Sequence, residues 1–225
     1  MPSTKPNVAL VDDHALFRKT LKSFLEQSNM RVAVQAADMF DLIDKLRSSS
    51  IDVLLMDLFL PGSTGTEALK MLHQEFPDLK ILILSVSTDM DLINELLDAG
   101  IDGYISKADE PEELLQAIQT VVNNQIYRNR LLTEALYWGK QNNVRYVNGS
   151  NISLNEREKK ILKMIWEEKN NKEIADKLFL GVRSVEKIRQ DMKEKIGVKS
   201  TVGLLKYAIN NKIVGVYSLS ANYLS

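Results

Sequence analysis

Six side chains could do chemistry together in this 225-residue sequence: Asp12, Asp13, Asp57, Ser85, Tyr104 and Lys107. The three acids and the serine each stand at the end of a short apolar run: NVALVDD for the acidic pair, IDVLLMD for Asp57 and KILILS for Ser85, while GYISK carries the tyrosine and the lysine. Each has a plain reading when taken alone, since an aspartate after a strand often only caps the next turn. Jointly they are harder to dismiss. A buried charge costs several kcal/mol unless it is paired or used, and clustered carboxylates repel one another unless a cation joins them. Mg²⁺ suits such a cluster, being a hard ion held by one or two carboxylates, phosphate oxygens and water. A carboxylate beside Mg²⁺ and an ammonium can attack phosphorus and become an aspartyl phosphate, because both cations offset the charge of the incoming group. Asp57 is the acid that fits this role. The turn behind it, Pro61, Gly62 and Gly65, lets backbone approach a metal or phosphate closely.

For these side chains to meet, the runs that carry them must lie side by side and point the same way. NVALVDD, RVAVQA, DVLLMD, KILILS and GYISK read as strands, and HALFRKTLKSFLEQ, MFDLIDKLRSS, GTEALKMLHQEF, DMDLINELLDAG and PEELLQAIQTVV show helical spacing of apolar residues. Pro111 suits the first turn of the last of these helices. Five strands each followed by a helix predict an α/β doubly wound five-stranded parallel sheet, covered on both faces and therefore nearly continuously apolar along each strand. In such sheets the site lies outside the carboxyl ends of the strands, at the topological switch point. That is the edge on which all six residues fall.

Charge divides the chain. Residues 1–125 carry ten Lys and Arg against twenty Asp and Glu, residues 126–150 four against one, and residues 151–225 fifteen against nine. An acidic half suited to a cation and a basic half suited to a polyanion imply two modules with different partners. Cysteine is absent, which removes disulfides and thiolate metal sites and suits a reducing cytosol. The first residues lack a signal-peptide core, and no apolar run reaches the roughly 18 residues of a membrane span. The expected location is cytoplasmic, without a membrane partner. Residues 126–150 lose the alternation, with RLLTEALYWGKQ readable as a short helix. Beyond them Asn155 with Glu158, and Asn170 with Glu173, fit reciprocal capping pairs that start two helices. LNEREKKILKMIWEE, NKEIADKLF, VRSVEKIRQDMKEKIG and TVGLLKYAIN then give helix, turn, short helix, turn and basic helix, the order of a helix-turn-helix. A plain helical bundle with a solvated charged face fits the same periodicity.

Resemblance adds to both readings. VDDH at Val11 to His14, MDLFLPGSTG from Met56, Ser85 and GYISK resemble the receiver domain of two-component response regulators, whose fold is flavodoxin-like. By that resemblance Asp57 is the phosphoacceptor, Asp12 and Asp13 hold Mg²⁺ with Asp57 and the carbonyl of Phe59, Ser85 bonds the phosphoryl oxygen, Lys107 forms its ion pair, and Tyr104 is the switch aromatic that turns inward on activation. LNEREKKIL, NKEIADKL and RSVEKIRQDMKEKIGV resemble the LuxR-type DNA-binding domain, which places the chain beside the NarL/FixJ class. The recognition helix is then VRSVEKIRQDMKEKI, and the DNA-binding residues are Lys172, Arg183, Ser184, Glu186, Lys187, Arg189 and Gln190. Lys187 and Gln190, three apart on one helix face, are the expected base readers, while Arg183 and Arg189 hold phosphates. The sequence departs from the family in several places: Leu60 and Phe59 after the phosphoacceptor, Glu168 at a usual glycine, Gly181 at a usual cap, Ile188 at a usual histidine or tyrosine, and Glu186 at a position often basic.

The expected division is a receiver over 1–125, a linker over 126–150, the LuxR-type domain over 151–215 and a tail over 216–225. The expected function is that of a transcription regulator, not an enzyme, taking phosphate from a sensor histidine kinase, forming a homodimer when phosphorylated and binding double-stranded promoter DNA. Two other classes compete. An aspartate-nucleophile phosphatase wants a second acid two residues after the nucleophile, where Phe59 cannot donate a proton. A signalling adaptor with a helical domain that does not bind DNA gains from Glu186. A dinucleotide-dependent dehydrogenase is excluded, because no glycine-rich fingerprint follows the first strand.

Overall fold

The computed structural model describes residues 5–141 and 154–214, apart from the side chains of 138–141. Five strands form one parallel sheet: β1 (Asn7–Val11), β2 (Arg31–Ala36), β3 (Val53–Asp57), β4 (Lys80–Ser85) and β5 (Gly103–Ser106), in spatial order β2-β1-β3-β4-β5. All five residues of β3 are buried, as the continuous apolar run requires for a strand covered on both faces. Helices α1 (Ala15–Gln27) and α5 (Pro111–Val122) cover one face, packing Leu25, Leu114 and Ile118 on Leu10, Leu55 and Leu82. Helices α2 (Met39–Arg47), α3 (Gly65–Glu75) and α4 (Met90–Ala99) cover the other through Leu42, Leu69 and Ile93. Register brings the carboxyl ends level: Val11 pairs with Met56, Asp57 with Leu84 and Ser85 with Ser106. The acids, the serine and the lysine are therefore set along one sheet edge by strand pairing alone.

The expected short helix forms as α6 (Arg130–Gln141), with Leu132, Ala135 and Leu136 buried in the same cluster as Ile93, Leu96 and Leu97 of α4. The second helical group comprises α7 (Glu156–Trp166), α8 (Asn171–Leu178), α9 (Val182–Ile196) and α10 (Thr201–Asn210). Both capping boxes are present, Asn155 with Glu158 opening α7 and Asn170 with Glu173 opening α8. Gly181 opens α9 without a side-chain cap. The apolar core is continuous across the two groups, since Ile161, Leu204 and Leu205 belong to the cluster that contains Leu136 and Leu96. Glu168, at the end of α7, adopts φ 61, a left-handed conformation that costs a non-glycine residue about 1–2 kcal/mol. Contacts with the segment after α5 offset that strain: Arg128 Nε donates to Glu168 Oε1 at 3.0 Å, and Gln125 donates to the Glu168 carbonyl at 2.8 Å. The Arg128 guanidinium also lies 4.6 Å from the Trp166 ring. A residue that is poor for helix termination is thus held by an ion pair between the two helical groups.

Candidate functional site

Asp12 and Asp57 are each 4% exposed at the strand ends. The Lys107 ammonium bridges them, 2.8 Å from Asp12 Oδ2 and 2.9 Å from Asp57 Oδ2, and lies 4.7 Å from the centre of the Phe17 ring. Burial works against the Lys107 charge, but the bonds to Asp12 and Asp57 outweigh it and raise the pKa above the ordinary lysine value. Asp12 also accepts from the His14 backbone N–H at 2.7 Å, and its carbonyl accepts from Arg18. Asp13 is more exposed and meets the His14 imidazole at 2.8 Å. Ligand atoms of Asp12, Asp13, His14 and Asp57 all lie within 4.8 Å of one another. Three carboxylates at such range make a hard-oxygen donor set that fits Mg²⁺. Phe59 is 57% exposed at the rim, and its N–H approaches Asp57 Oδ1 at 3.4 Å.

Across the same edge Ser85 is fully buried, its Oγ accepting from the Ser87 N–H at 3.2 Å, and the Lys107 N–H donates to the Ser85 carbonyl at 2.8 Å. Tyr104 is likewise fully buried and donates its hydroxyl to the Ser87 carbonyl at 2.7 Å. Burial raises the phenol pKa, so the hydroxyl remains a donor at neutral pH. The ring already lies inward in this structure. The expected site residues thus converge, with Asp13 and Phe59 at the solvent rim and the rest beneath.

On α9 Arg183, Ser184, Glu186, Lys187 and Gln190 are exposed, as are Val182, Asp191, Glu194 and Lys195, and on α8 Lys172 is exposed. Arg189 does not fit its expected role of holding a phosphate. It is 5% exposed, donating to Asn171 and, at 2.9 Å, to Thr201. Helical period explains the placement, because Arg189 follows Val185 by four residues and precedes Met192 by three, and both of those are fully buried. Burial lowers its pKa to about 10, which leaves it charged at neutral pH. Lys187 and Gln190 face a cavity of about 370 Å³ whose other wall is Pro77, Asp78, Lys80 and Asp102 of the sheet-bearing half. Glu186, Lys187 and Gln190 are thereby the exposed residues of α9 that share a cavity with the first domain.

Comparison with known proteins bears on both halves. A family model described as the response regulator receiver domain matches residues 8–119, and one described as bacterial regulatory proteins, luxR family, matches residues 152–208. The oxygen regulatory protein NreC of Staphylococcus aureus (strain bovine RF122 / ET3-1) is 36% identical over 213 residues, covering 92% of this chain and 98% of that protein. The chain belongs to the response regulators with a LuxR-type domain. Among solved structures, a LuxR-family response regulator from Aurantimonas sp. SI85-9A1 is 27% identical with a TM-score of 0.57, covering 61% of this chain and 99% of that one. The RcsB response regulator of Salmonella typhimurium is 25% identical with a TM-score of 0.55 over 90% of this chain and 98% of that chain. This response regulator is accordingly a DNA-binding transcription regulator under the control of phosphorylation.

Sequence reasoning missed the residues that join its two halves. Lys206 is the only charged residue in TVGLLKYAIN, and Arg128 stands in a segment read only as linker. A lone lysine in an otherwise apolar helix was a legible signal; the partner of Arg128, Glu168, 40 residues along the chain, was not. Among the described residues no helix is long and apolar enough to cross a membrane.

Proposed function

We propose that Asp57 of this response regulator accepts a phosphoryl group from a sensor histidine kinase, with Asp12, Asp13 and the Phe59 carbonyl completing a Mg²⁺ site. The observation that carries this reading is the Lys107 ammonium shared between buried Asp12 and Asp57 at 2.8 and 2.9 Å. It fixes a cation against the Asp57 carboxylate at the strand end, which lowers the cost of bringing up a second anion. Bound Mg²⁺ supplies further neutralisation of phosphoryl oxygens. Asp57 Oδ attacks phosphorus as the P–N bond to the kinase's phosphohistidine breaks and the imidazole leaves with its electron pair, Ser85 Oγ offers a hydrogen bond to a phosphoryl oxygen, and Lys107 keeps the added charge paired. The receiver occupies 1–125, the linker 126–150 and the LuxR-type domain 151–215. The tail 216–225, expected to pack on its own domain, lies outside the described residues.

Lys187 and Gln190 are then the base readers, Arg183 and Lys172 the phosphate contacts, and Glu186 an acceptor for a cytosine amino group. Arg189 supports the helix from behind. Lys187, Gln190 and Glu186 share a cavity with Asp78 and Asp102, so promoter binding requires the domains to separate, and a cytoplasmic homodimer places two recognition helices on neighbouring half-sites. Two measurements test the reading. Acetyl phosphate with Mg²⁺ should add one phosphoryl mass to the parent and none to Asp57→Asn; label persisting on the variant sinks the assignment. A gel shift on a selected site at low and high salt should show binding that strengthens with beryllofluoride, and its absence at every salt concentration restores the adaptor.

A further inference from the structure

Helix α10 buries every residue from Thr201 to Ile209, and one of them is a lysine. Lys206 is 1% exposed, and its ammonium donates to Asn94 Oδ1 at 2.7 Å and to Asp98 Oδ1, both on receiver helix α4. Asn94 and Asp98 are one turn apart and share a face of α4. An apolar side chain here would seal two domains more firmly, because an ammonium loses its hydration on entering the seam and recovers it when the domains part. A buried charge that returns to water on separation suits a reversible contact rather than a fixed one.

The far end of α4 is tied to the phosphoryl site. Ser85 Oγ accepts from the Ser87 N–H at 3.2 Å, Ser87 Oγ accepts from the Asp89 N–H at 3.2 Å, and Asp89 caps α4 by accepting from the Asp91 N–H at 2.9 Å and the Leu92 N–H at 3.3 Å. Tyr104 holds the Ser87 carbonyl from the other side. If Ser85 turns its hydroxyl to a phosphoryl oxygen, the Ser87 N–H loses its acceptor and the cap of α4 must resettle. A ten-residue helix moves as one body, which carries Asn94 and Asp98 with it. An ammonium that loses correctly placed partners while buried cannot stay buried.

We propose that Lys206 is the contact through which the position of α4, and hence the state of the phosphoryl site, releases the LuxR-type domain. This rests on the phosphoacceptor reading of Asp57 and names how the two domains are coupled. None of the residues to be changed belongs to the phosphoryl site.

The test uses the full chain as parent, Asp98→Lys, Lys206→Glu and the double variant with both charges exchanged. Each is measured with and without beryllofluoride and Mg²⁺, by affinity for a selected DNA site and by radius of gyration from X-ray scattering. Each single variant places like charges across the seam and should be expanded without beryllofluoride, binding DNA about 10- to 100-fold more tightly than the untreated parent, the range set by loss of a charged hydrogen bond. Beryllofluoride should then add little. The double variant restores opposite charges and should be compact and responsive again, which an unfolded protein could not be. Acetyl phosphate labelling of Asp57 should be the same in all four. Single variants that stay compact and fully responsive overturn the proposal, as does a double variant that remains open. If scattering shows the expected opening and reclosure while no protein binds DNA, the contact stands and the promoter reading falls; if the parent takes no label, the phosphoacceptor reading falls.

Discussion

Replacing Lys107 by Met removes one ammonium and keeps most of the side-chain volume, so its effect isolates the charge. In the parent the Lys107 side chain is 15% exposed, and its ammonium contacts two carboxylates whose side chains are 6% and 5% exposed. Breaking a buried pair by removing one partner costs about 3–5 kcal/mol because the remaining charge is left without compensation. Partial access of water to Lys107 favours the lower end, about 3 kcal/mol. For a domain of this size that corresponds to a fall in Tm on the order of 10 °C. Added Mg²⁺ should recover much of the loss, since the cation binds the folded acidic cluster and not the unfolded chain, and the recovery should exceed the stabilisation that Mg²⁺ gives the parent. The pH dependence has a definite sign. The Lys107 pKa lies above its ordinary 10.5 in the folded protein, so the pair contributes fully below pH 10.5 and the contribution fades as pH rises through the raised value. The difference between parent and variant should therefore be constant at neutral pH and close only at strongly alkaline pH. Calorimetric scans of both proteins over pH and Mg²⁺ concentration check this. A variant as stable as the parent without Mg²⁺ refutes the claim that Lys107 holds the acidic pair together.

Arg189→Met should destabilise the helix-turn-helix by about 1–3 kcal/mol, because Asn171 and Thr201 lose a buried partner, and thermal melting should register more change than the salt slope of DNA binding. Lys187→Ala should cost about 1–3 kcal/mol on the preferred site and relax its sequence preference, as titrations on selected and scrambled DNA would show. Gly100 closes α4 at φ 107, and a Cβ there would meet Lys199 Cβ at 2.5 Å and His73 Nε2 at 2.8 Å, so Gly100→Ala should increase the radius of gyration of the unphosphorylated protein. Burial holds the His73 imidazole below its ordinary pKa of 6.5, with Lys199 adding to the effect and Asp102 opposing it. The closed arrangement should then be firmest above pH 6.5 and open as pH falls below it; scattering at pH 5.5 and 7.5 checks this, with His73→Gln removing the dependence.

Much of the receiver was legible because its chemistry is written in strand ends. Period-independent apolar runs named the five strands, and a parallel sheet has one edge where Asp12, Asp57, Ser85 and Lys107 can meet. Capping pairs were equally direct, since Asn155 with Glu158 and Asn170 with Glu173 need only local spacing. Arg189 was misread because its chemical type suggested phosphate while its position, four after Val185, dictated burial. Period decides where a side chain points, and a guanidinium can follow if Asn171 and Thr201 satisfy it. Of the seam only the lone lysine of TVGLLKYAIN was legible, and its partners were not. Lys206 with Asn94 and Asp98, and Arg128 with Glu168, join residues far apart in sequence whose meeting depends on how two independently patterned units dock.

The seam also gives meaning to the opposite charges of the two halves. Lys187 and Gln190 of α9, proposed above as base readers, line a cavity with Asp78 and Asp102, and Lys80 is ion-paired to Asp102 at 3.6 Å. Lys193, half-buried on the same helix, has its pKa lowered by burial first and then by Lys80, with Asp102 opposing. Cations crowded in this way are held in place by the apolar contacts of α4, α6 and α10 rather than by charge attraction alone. If α9 reads DNA as proposed, the duplex offers the same residues a denser array of anions, and duplex and receiver compete for them. Phosphorylation need not strengthen any DNA contact to raise affinity. It has only to weaken the receiver's hold on the other side of that competition, and a 10- to 100-fold gain then follows from about 1.4–2.8 kcal/mol removed from the closed state.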